Sequence, residues 1–505
     1  MRFRIIVLIF VIVRTPLLTA AEPADAAIDA ILRKTRDFWH APGIAAAVVR
    51  NDKLEYLNGV GVRELGRDKP VTADTLFAIG SCTKAFTATA LAILVEEGKA
   101  KWDDLVRMHL PWFRLDDMLA DRDVRLDDLL CHRIGLASHD MLWYGAPWSI
   151  KESVRRMAFL ERHTSFRSTY EYNNLAYLAA GLAIEAIAQR PWHIFVQERL
   201  FKPLQMRDAV FTSGEALRSP NHARPHGHDD SGKVTVIPWY ADDKQIRASG
   251  SIKASVRDLS QWLRFQLAHG KFDDKQLISA AALEETHTPR IPVPLSAAER
   301  AAGATQASYA LGWHISEYRG HAIHQHGGAV AGFRARLILV PRQKLGLVVL
   351  TNLEDMEVVA AAGNNLLDFL LGLEKKDWDT FFSKELEKAK KAEQERLDKR
   401  LAGQVRGTKS KELDMYVGRY AEPAYGTVAI TRNGGSLELR WSSYQLPLTH
   451  FHYDTFLTPK QHPSLPAALR AETVVFEMNE DAEMSVLRFL GRKFTRDQKR
   501  KGERR

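Results

Sequence analysis

The segment 77-FAIGSCTKAFTATALAILVEEGK-99 places a serine and a lysine three residues apart at the start of an apolar run. Residues i and i+3 of a helix lie on the same face, so the ammonium of Lys84 is within reach of the hydroxyl of Ser81. The run from Thr83 to Val95 is rich in apolar residues, and Gly98 supplies a stop. We therefore predict a helix with a buried face that carries the Ser81–Lys84 pair at its N-terminal end.

This pair has the residue types of an acylating site. A serine hydroxyl is a poor nucleophile at neutral pH and needs a nearby base or a positive field. A lysine acts as such a base when burial or neighbouring charges adjust its pKa, and a helix N-terminus adds a further positive field. Because an ordinary surface pair on a helix has the same Ser-x-x-Lys pattern, further motifs are needed to decide between the two.

The length and the N-terminus indicate an exported protein of several domains. The chain has 505 residues, of which 45% are hydrophobic and 26% charged, and this length favours two or three domains. Two arginines precede the apolar stretch IIVLIFVIV, and small residues follow it. This pattern predicts a signal peptide over residues 1–21, hence a periplasmic or extracellular location, with an uncleaved anchor as the alternative.

The net charge bears on possible binding partners, and the two cysteines bear on a possible disulfide. Part of the net charge of +9 comes from the basic tail predicted at 497–505. Such a tail can contact anionic polymers of the cell envelope but is more often a solvated end, and we predict no nucleic-acid partner. Two cysteines do not make a disulfide framework, although the spacing leaves a Cys82–Cys131 bridge open.

Strand-like segments flank a helix-patterned middle region. Two early runs, GIAAAVVRND and KLEYLNGVGV, suggest a hairpin around Asn51-Asp52, and three late runs are YALGWHISEY, GFRARLILVP and LGLVVLTN. Helical patterns dominate from about residue 100 to about residue 260. We predict an α+β fold (an α/β sandwich) over residues 25–373, in which an antiparallel sheet is flanked by helices and carries an inserted all-α region.

The C-terminal part has a different pattern. Residues 374–411 are charged and helix-patterned, which predicts a solvated linker helix. Residues 412–496 alternate like short antiparallel strands and contain an Asn433-Gly434 turn. They predict a small, separate all-β domain.

The sequence resembles a known superfamily at the Ser81 segment. IGSCTKAFTATALAILVEEGK, followed by WDDLVRMHLP, is similar to the nucleophile segment of serine β-lactamases and penicillin-binding proteins, especially the class C-type branch. That branch also holds D-aminopeptidases, DD-carboxypeptidases and esterases. The stretch YVGRYAEPAYG resembles the lipocalin-like C-terminal module of some of these hydrolases. Such a module either caps the catalytic cleft or only stabilises the protein.

The resemblance predicts two further motifs in a fixed order. Tyr-x-Asn occurs at Tyr172-Asn173-Asn174, where a loop enters an apolar helix. A second copy, at residues 56–58, precedes Ser81 and is rejected by chain order. The third motif, His-x-Gly, occurs at His326-Gly327-Gly328 before the strand-like run RARLILVP.

The resemblance also implies the roles of the first two motifs. Ser81 would be the nucleophile that takes the acyl group. Lys84 and Tyr172 would share its proton, with Tyr172 as the base if Lys84 holds its pKa down. Asn174 would hydrogen bond to Lys84 or to the substrate amide.

In the third motif, the resemblance implies that His326 stabilises or relays charge near Tyr172. The backbone N–H groups of Ser81 and Ala329 would form the oxyanion hole. Gly327 and Gly328 would let the substrate lie against the strand edge.

These motifs predict a serine hydrolase that forms an acyl-enzyme from an ester or an amide and needs no cofactor. The expected substrate is a small molecule or a peptidoglycan-type peptide. Class C β-lactamases have Lys-Thr-Gly as the third motif, and this chain has His-Gly-Gly. The loss of that fixed cation predicts weak activity on β-lactams.

Two other functions compete with this prediction. The segment NHARPHGHDD suggests a metal-dependent hydrolase, because it contains five possible ligands: His222, His226, His228, Asp229 and Asp230. Zinc needs three or four ligands that converge, whereas these five lie in one short polar turn. A non-catalytic sensor that binds penicillin or peptidoglycan is the alternative outside the enzymes, and the intact motifs argue against it.

Overall fold

The computed structural model describes residues 24–229, 231–241, 245–460 and 465–497. The predicted signal peptide and the predicted basic tail beyond Asp497 lie outside these ranges. Within them, no helix is both long enough and apolar enough to cross a bilayer.

The described helices are distributed along the whole chain: α1 Ala24–Phe38, α2 Thr83–Glu96, α3 Val106–His109, α4 Met118–Asp123, α5 Leu126–Leu130, α6 Ile150–Arg155, α7 Asn174–Ala188, α8 Trp192–Val196, α9 Ser213–Arg218, α10 Val256–Leu267, α11 Ala280–Glu285, α12 Ala297–Ala301, α13 Met356–Leu370 and α14 Trp378–Ala402.

The described strands lie mainly at the two ends of the chain: β1 Gly43–Arg50, β2 Lys53–Gly61, β3 Phe77–Ala78, β4 His226–His228, β5 Val234–Val236, β6 Lys253–Ala254, β7 Lys271–Phe272, β8 Lys275–Gln276, β9 Ile291–Pro292, β10 Ala307–Tyr309, β11 His314–Tyr318, β12 His321–Val330, β13 Phe333–Val340, β14 Leu345–Thr351, β15 Gly418–Glu422, β16 Gly426–Asn433, β17 Ser436–Trp441, β18 Tyr444–His452, β19 Thr455–Leu457, β20 Thr473–Met478, β21 Met484–Phe489 and β22 Arg492–Arg496.

The main sheet has eight strands in the order β2-β1-β14-β13-β12-β11-β10-β9. Every neighbouring pair is antiparallel, which confirms the predicted fold class. The predicted β1–β2 turn is also present, with both Asn51 and Asp52 at positive φ. The early and late strand segments therefore belong to one sheet, in which β12 lies between β13 and β11, although about 250 residues of chain separate β2 from β11.

Helices cover both faces of this sheet. Strands β1 and β14 are apolar almost throughout because each buries both of its faces. In β1, Ile44, Ala46 and Val48 pack in the core beneath α1 and α13. The alternate residues of β1 pack in the second core, which includes α2, α7 and α10. The active-site motifs lie on this second side.

One predicted strand differs from the structure. The run YALGWHISEY divides into β10 and β11 around Gly312, which has a φ of +82°. A Cβ atom on Gly312 would lie 2.8 Å from the carbonyl oxygen of Lys84. The chain therefore turns here because it approaches α2 more closely than any side chain permits.

Strands β15 to β22 form a closed eight-stranded barrel. Apolar side chains alternate with polar ones along its strands, so that Val428 and Ile430 of β16 and Leu437 and Leu439 of β17 are buried. This agrees with the predicted small all-β domain and its lipocalin-like pattern.

The barrel contacts the helical region of the first domain through polar groups. The guanidinium of Arg156 donates to the carbonyl oxygen of Ala424 at 2.8 Å, and that of Arg492 donates to the carbonyl oxygen of Phe159 at 3.0 Å. A ring nitrogen of His139 lies 2.9 Å from the hydroxyl of Tyr425. The barrel is thus docked beside the catalytic region at the segment that contains His139.

Helix α14 differs from the predicted solvated linker in its first turns. Trp378 and Asp379 are buried, and the Asp379 carboxylate accepts a hydrogen bond from the Trp39 indole at 3.1 Å. Trp378 donates to Asp368 of α13 at 2.9 Å. The charge pattern did not predict this packing, because the contacts are made by Trp378 and Trp39 at the N-terminal end of α14. Most of the remaining helix is exposed.

Candidate active site

Ser81 lies in a tight 3-10 turn, Gly80–Cys82, that leads directly into α2. The next twelve residues, Thr83 to Leu94, are buried, so α2 crosses the interior of the domain. Ser81 is therefore partly exposed at the start of α2, whereas Lys84, one turn further along the helix, is fully buried. The Lys84 amine donates to the hydroxyl oxygen of Ser81 at 3.0 Å, as the spacing predicts.

The amine of Lys84 has two further acceptors. It donates to the side-chain oxygen of Asn174 at 2.8 Å and to the carbonyl oxygen of Ser249 at 2.9 Å. Burial lowers the pKa of Lys84 to about 7, and the nearby Asp140 opposes this shift. A neutral amine has two N–H groups and one lone pair, so the lone pair faces Ser81 when Asn174 and Ser249 take both donors.

Tyr172 lies on the other side of Ser81. The Lys84 amine lies 4.8 Å from the centre of its ring. Part of its surface remains exposed, but desolvation by the surrounding protein raises the pKa of Tyr172 well above its usual value, and the Ser81 side chain only partly offsets this. This differs from the expectation that Lys84 holds the phenol pKa down. Tyr172 is therefore protonated near neutral pH, and Lys84 is the stronger candidate for the resting base.

The position of Asn174 is set by the start of α7 and by a hydrogen bond to Asp140, a residue outside the three motifs. The side chain of Asn173 caps α7 by accepting from the amide of Ala176 at 2.9 Å. Asn174 then turns its amide nitrogen toward the carboxylate of Asp140, to which it donates at 2.9 Å. Asp140 begins a short 3-10 turn, Asp140–Leu142, that no sequence motif marks, so only the tertiary contact identifies it.

The third motif lies within β12 beside the nucleophile. Strand β11 pairs with β12 only as far as Gln325, so His326 and the residues after it continue along β13 alone. A ring nitrogen of His326 lies 2.7 Å from the Tyr309 hydroxyl, and the other lies 2.6 Å from the carbonyl oxygen of Gly327. The carbonyl accepts from Nδ1–H, so in the neutral imidazole Nε2 accepts from the Tyr309 hydroxyl.

Burial lowers the pKa of His326 to about 3, and the positive charge of Lys84 adds to this effect. The expected role of His326 as a charge-stabilising group therefore does not extend to a cation at neutral pH. Its two ring nitrogens are used to hold Tyr309 and the strand backbone.

Glycines let β12 lie against the turn that carries the nucleophile. A Cβ atom on Gly80 would lie 2.6 Å from the amide nitrogen of Ala329, and one on Gly328 would lie 1.9 Å from the carbonyl oxygen of Ile79. The backbone of Ala329 is thus adjacent to the turn of Ser81, where the predicted oxyanion hole requires it. Gly327 has room, since its Cβ atom would be 3.8 Å from the nearest atom, on Met356.

The sequence profile of the family described as Beta-lactamase matches residues 28–370. The chain belongs to this family. A second profile, described as a domain of unknown function (DUF3471), matches residues 403–502 and thus covers the barrel.

This β-lactamase-family protein is also similar to individual characterised proteins. It is 27% identical over 371 residues to an unguisins hydrolase of Aspergillus campestris, covering 70% of this chain and 66% of that protein. The alignment with this curated relative thus spans slightly less than two thirds of the relative's length.

Two solved structures share the fold. The octameric penicillin-binding protein homologue of Pyrococcus abyssi has a TM-score of 0.62 at 21% identity, covering 93% of this chain and 98% of that one. A D-stereospecific amidohydrolase of Streptomyces sp. has a TM-score of 0.53 at 23% identity, covering 67% and 98%.

We expect Gly328→Ala to destabilise this β-lactamase-family domain by about 1–3 kcal/mol, because the new methyl group would overlap the backbone of Ile79 and displace the nucleophile turn. The measurement is the midpoint of thermal unfolding. Gly327→Ala is the matched control, since its methyl group enters free space. Equal losses in the two variants would contradict the close approach of β12 to Ile79.

Two cavities flank the catalytic groups. One, of about 460 Å³, is bounded by Tyr172, His326 and Gly327 and extends to Phe381 and Phe382 of α14. The other, of about 640 Å³, lies between the first domain and the barrel and is lined by Ser138, His139, Asp140, Met141, Tyr144, Tyr425, Pro466, Ala468, Glu472 and Leu490. The barrel therefore forms one wall of a cavity beside Asp140, as a capping module would.

The histidines of the alternative metal site have other partners. Both ring nitrogens of His226 are used, one by the carbonyl oxygen of Asn352 at 2.9 Å and one by the amide of Leu65 at 3.1 Å. His228 pairs with Asp355 at 2.9 Å. Asp230 lies outside the described residues, and within them no cluster of metal-ligand side chains is present.

The two cysteines are both buried and free. The bridge that the spacing left open is therefore not formed. The thiol of Cys82 instead donates to the carbonyl oxygen of His326 at 3.3 Å, which adds a further link between the nucleophile turn and β12.

Proposed function

We propose that this protein is a serine hydrolase that cleaves an amide or an ester through an acyl-enzyme on Ser81. The observation that carries this proposal is the contact between Ser81 and a buried lysine whose other two donors are already occupied. This arrangement leaves a lone pair for the hydroxyl proton when the amine is neutral.

The proposed acylation begins with neutral Lys84. Its lone pair takes the proton of Ser81 while the hydroxyl oxygen bonds to the substrate carbonyl carbon. The carbonyl oxygen becomes an anion and accepts from the amides of Ser81 and Ala329. The carbon–leaving-group bond then breaks, and the leaving group takes the phenol proton of Tyr172. Lys84 restores that proton, and water repeats the sequence in reverse to release the acid.

We further infer that the acyl group of the substrate carries a protonated amine. Asp140 and Glu472 both line the cavity of about 640 Å³, and among the described residues no lysine or arginine lines it, although the Arg400 guanidinium lies 3.8 Å from the Glu472 carboxylate outside the lining. His139 is neutral there, because burial lowers its pKa to about 4. The carboxylates favour a cationic group close to Asn174 and Lys84. D-amino-acid amides are the first substrates to test, since a D-stereospecific amidohydrolase of Streptomyces sp. shares the fold.

We expect Glu472→Gln to reduce the preference for a free amine by about three- to tenfold, the effect of losing one partly buried ionic partner. The measurement is the ratio of kcat/KM for D-phenylalanine p-nitroanilide to that for its N-acetyl derivative. Glu480→Gln is the matched control, because Glu480 is an exposed barrel residue outside this cavity. An unchanged ratio would refute the amine preference but not the hydrolase activity.

We expect the wild-type protein to hydrolyse p-nitrophenyl butyrate faster than nitrocefin. The reason is that neutral His326 provides no fixed cation for the carboxylate of a β-lactam. The measurement is kcat/KM for both substrates under the same conditions. Fast nitrocefin turnover without ester hydrolysis would reverse this order of substrates.

The sensor alternative is separated from the enzyme by the lifetime of the acyl group. A fluorescent penicillin that remains bound to Ser81 indefinitely, in a protein that hydrolyses no ester or amide, would favour the sensor. Export and contact of the basic tail with the envelope remain proposals, and the N-terminal sequence of the secreted protein tests the first of them.

A further inference from the structure

His132 lies behind Tyr172 in an unusual backbone conformation. It follows α5, is fully buried and has a φ of +62°, a left-handed conformation that is uncommon for residues other than glycine, although Asn, Asp and His adopt it more often than the rest. Such a conformation persists only where the surrounding contacts hold it.

His132 contacts both neighbours of Tyr172. Its carbonyl oxygen accepts from the amide of Glu171 at 2.8 Å, and its Nδ1 atom accepts from the amide of Asn173 at 3.0 Å. The imidazole itself lies against the phenol ring, with 4.3 Å between the ring centres. One residue therefore holds the backbone before and after Tyr172 and one face of its ring.

The hydrogen bond from the amide of Asn173 also fixes the tautomer of the neutral His132 imidazole. Nδ1 accepts, so a neutral ring carries its proton on Nε2, which is buried and has no hydrogen-bond partner among the described residues. Three further tyrosine rings surround it, those of Tyr170, Tyr177 and Tyr309. A neutral group here fills space beside Tyr172 without adding a second cation next to Lys84.

We propose that His132 is a positioning residue that holds the Tyr172 phenol where it passes its proton to the leaving group. This inference rests on the proposed function, in which Tyr172 supplies that proton. A looser phenol would slow the expulsion of a leaving group that must be protonated, and would matter less for one that leaves as a stable anion.

The test compares methyl butyrate, whose alkoxide needs a proton, with p-nitrophenyl butyrate, whose phenolate does not. We expect His132→Gly, which keeps the backbone conformation but removes the ring, to lower kcat on the methyl ester by at least about tenfold. We expect its effect on the p-nitrophenyl ester to be less than about threefold. His132→Asn tolerates the same φ and offers an acceptor oxygen, so it should recover most of the methyl-ester activity.

The double variant His132→Gly/Tyr172→Phe should be no slower than Tyr172→Phe alone, because the positioned group is then absent. Equal losses on the two esters, no loss at all, or an additive double variant would overturn the proposal. If His132→Gly does not fold, His132→Asn and His132→Ala give the same comparison, and an asparagine variant no better than alanine overturns it. Retention of activity in Ser81→Ala would instead refute the proposed function itself.

Discussion

Replacement of Ser81 by alanine is expected to abolish hydrolysis of every ester and amide that the wild-type protein cleaves. Loss of a covalent nucleophile lowers kcat by a factor on the order of 10³–10⁶ in serine hydrolases. The fold should survive, since Ser81 is partly exposed and the change removes a single oxygen atom. The measurement is kcat on p-nitrophenyl butyrate and D-phenylalanine p-nitroanilide, together with the thermal unfolding midpoint.

The covalent intermediate provides a second readout for the same variant. Intact mass spectrometry after treatment with a fluorophosphonate should show one adduct on the wild-type protein and none on Ser81→Ala. Ser260→Ala is the matched control, because Ser260 is a buried serine whose hydroxyl only donates to the carbonyl oxygen of Arg257. A labelled Ser81→Ala protein would show that another residue is the nucleophile.

Replacement of Lys84 by arginine is expected to lower kcat by about 10²–10⁴, the usual contribution of a general base. A guanidinium remains charged at all relevant pH values and cannot take the proton of Ser81. Lys376→Arg is the matched control, because the Lys376 amine is partly buried and, like that of Lys84, donates to a carbonyl oxygen, here that of Ala301, outside the catalytic groups.

The dependence of activity on pH follows from the same residue. Burial lowers the pKa of Lys84 to about 7, and the active form is the deprotonated amine. The value of kcat/KM should therefore rise with pH to a plateau, with a midpoint near 7. Lys376→Arg should keep this midpoint. A profile that rises only above pH 9 would instead favour a tyrosine as the base.

Two regions outside the family motifs line the cavities that flank the candidate catalytic groups. Tyr425 and Glu472 of the barrel line the cavity beside Asp140. Phe381 and Phe382 of α14 line the cavity beside His326. Variation in the linker and in the barrel would therefore alter which acyl and leaving groups fit, while the catalytic contacts around Ser81 stay the same.

Local sequence patterns predicted the parts of this protein that depend on neighbours in the chain. The Ser81–Lys84 contact follows from helical spacing, and the Asn51-Asp52 turn follows from residues that tolerate positive φ. The antiparallel sheet follows from short strand-like runs, several of them apolar throughout, and the β domain follows from alternation over short segments. Three motifs in order were sufficient to predict that Tyr172, Asn174 and His326 lie around the nucleophile.

The sequence by itself thus predicted the candidate nucleophile and the class of fold, because these depend on spacings of a few residues and on burial patterns within single elements, and its resemblance to a known superfamily predicted the order of the motifs. Only the tertiary structure decided that Lys84 is the stronger candidate for the base, that burial lowers the pKa of His326, and that Asp140, His132 and the barrel lie beside these residues. The physical reason is that pKa values and hydrogen-bond partners depend on desolvation and on contacts between segments far apart in the chain, which no local pattern encodes.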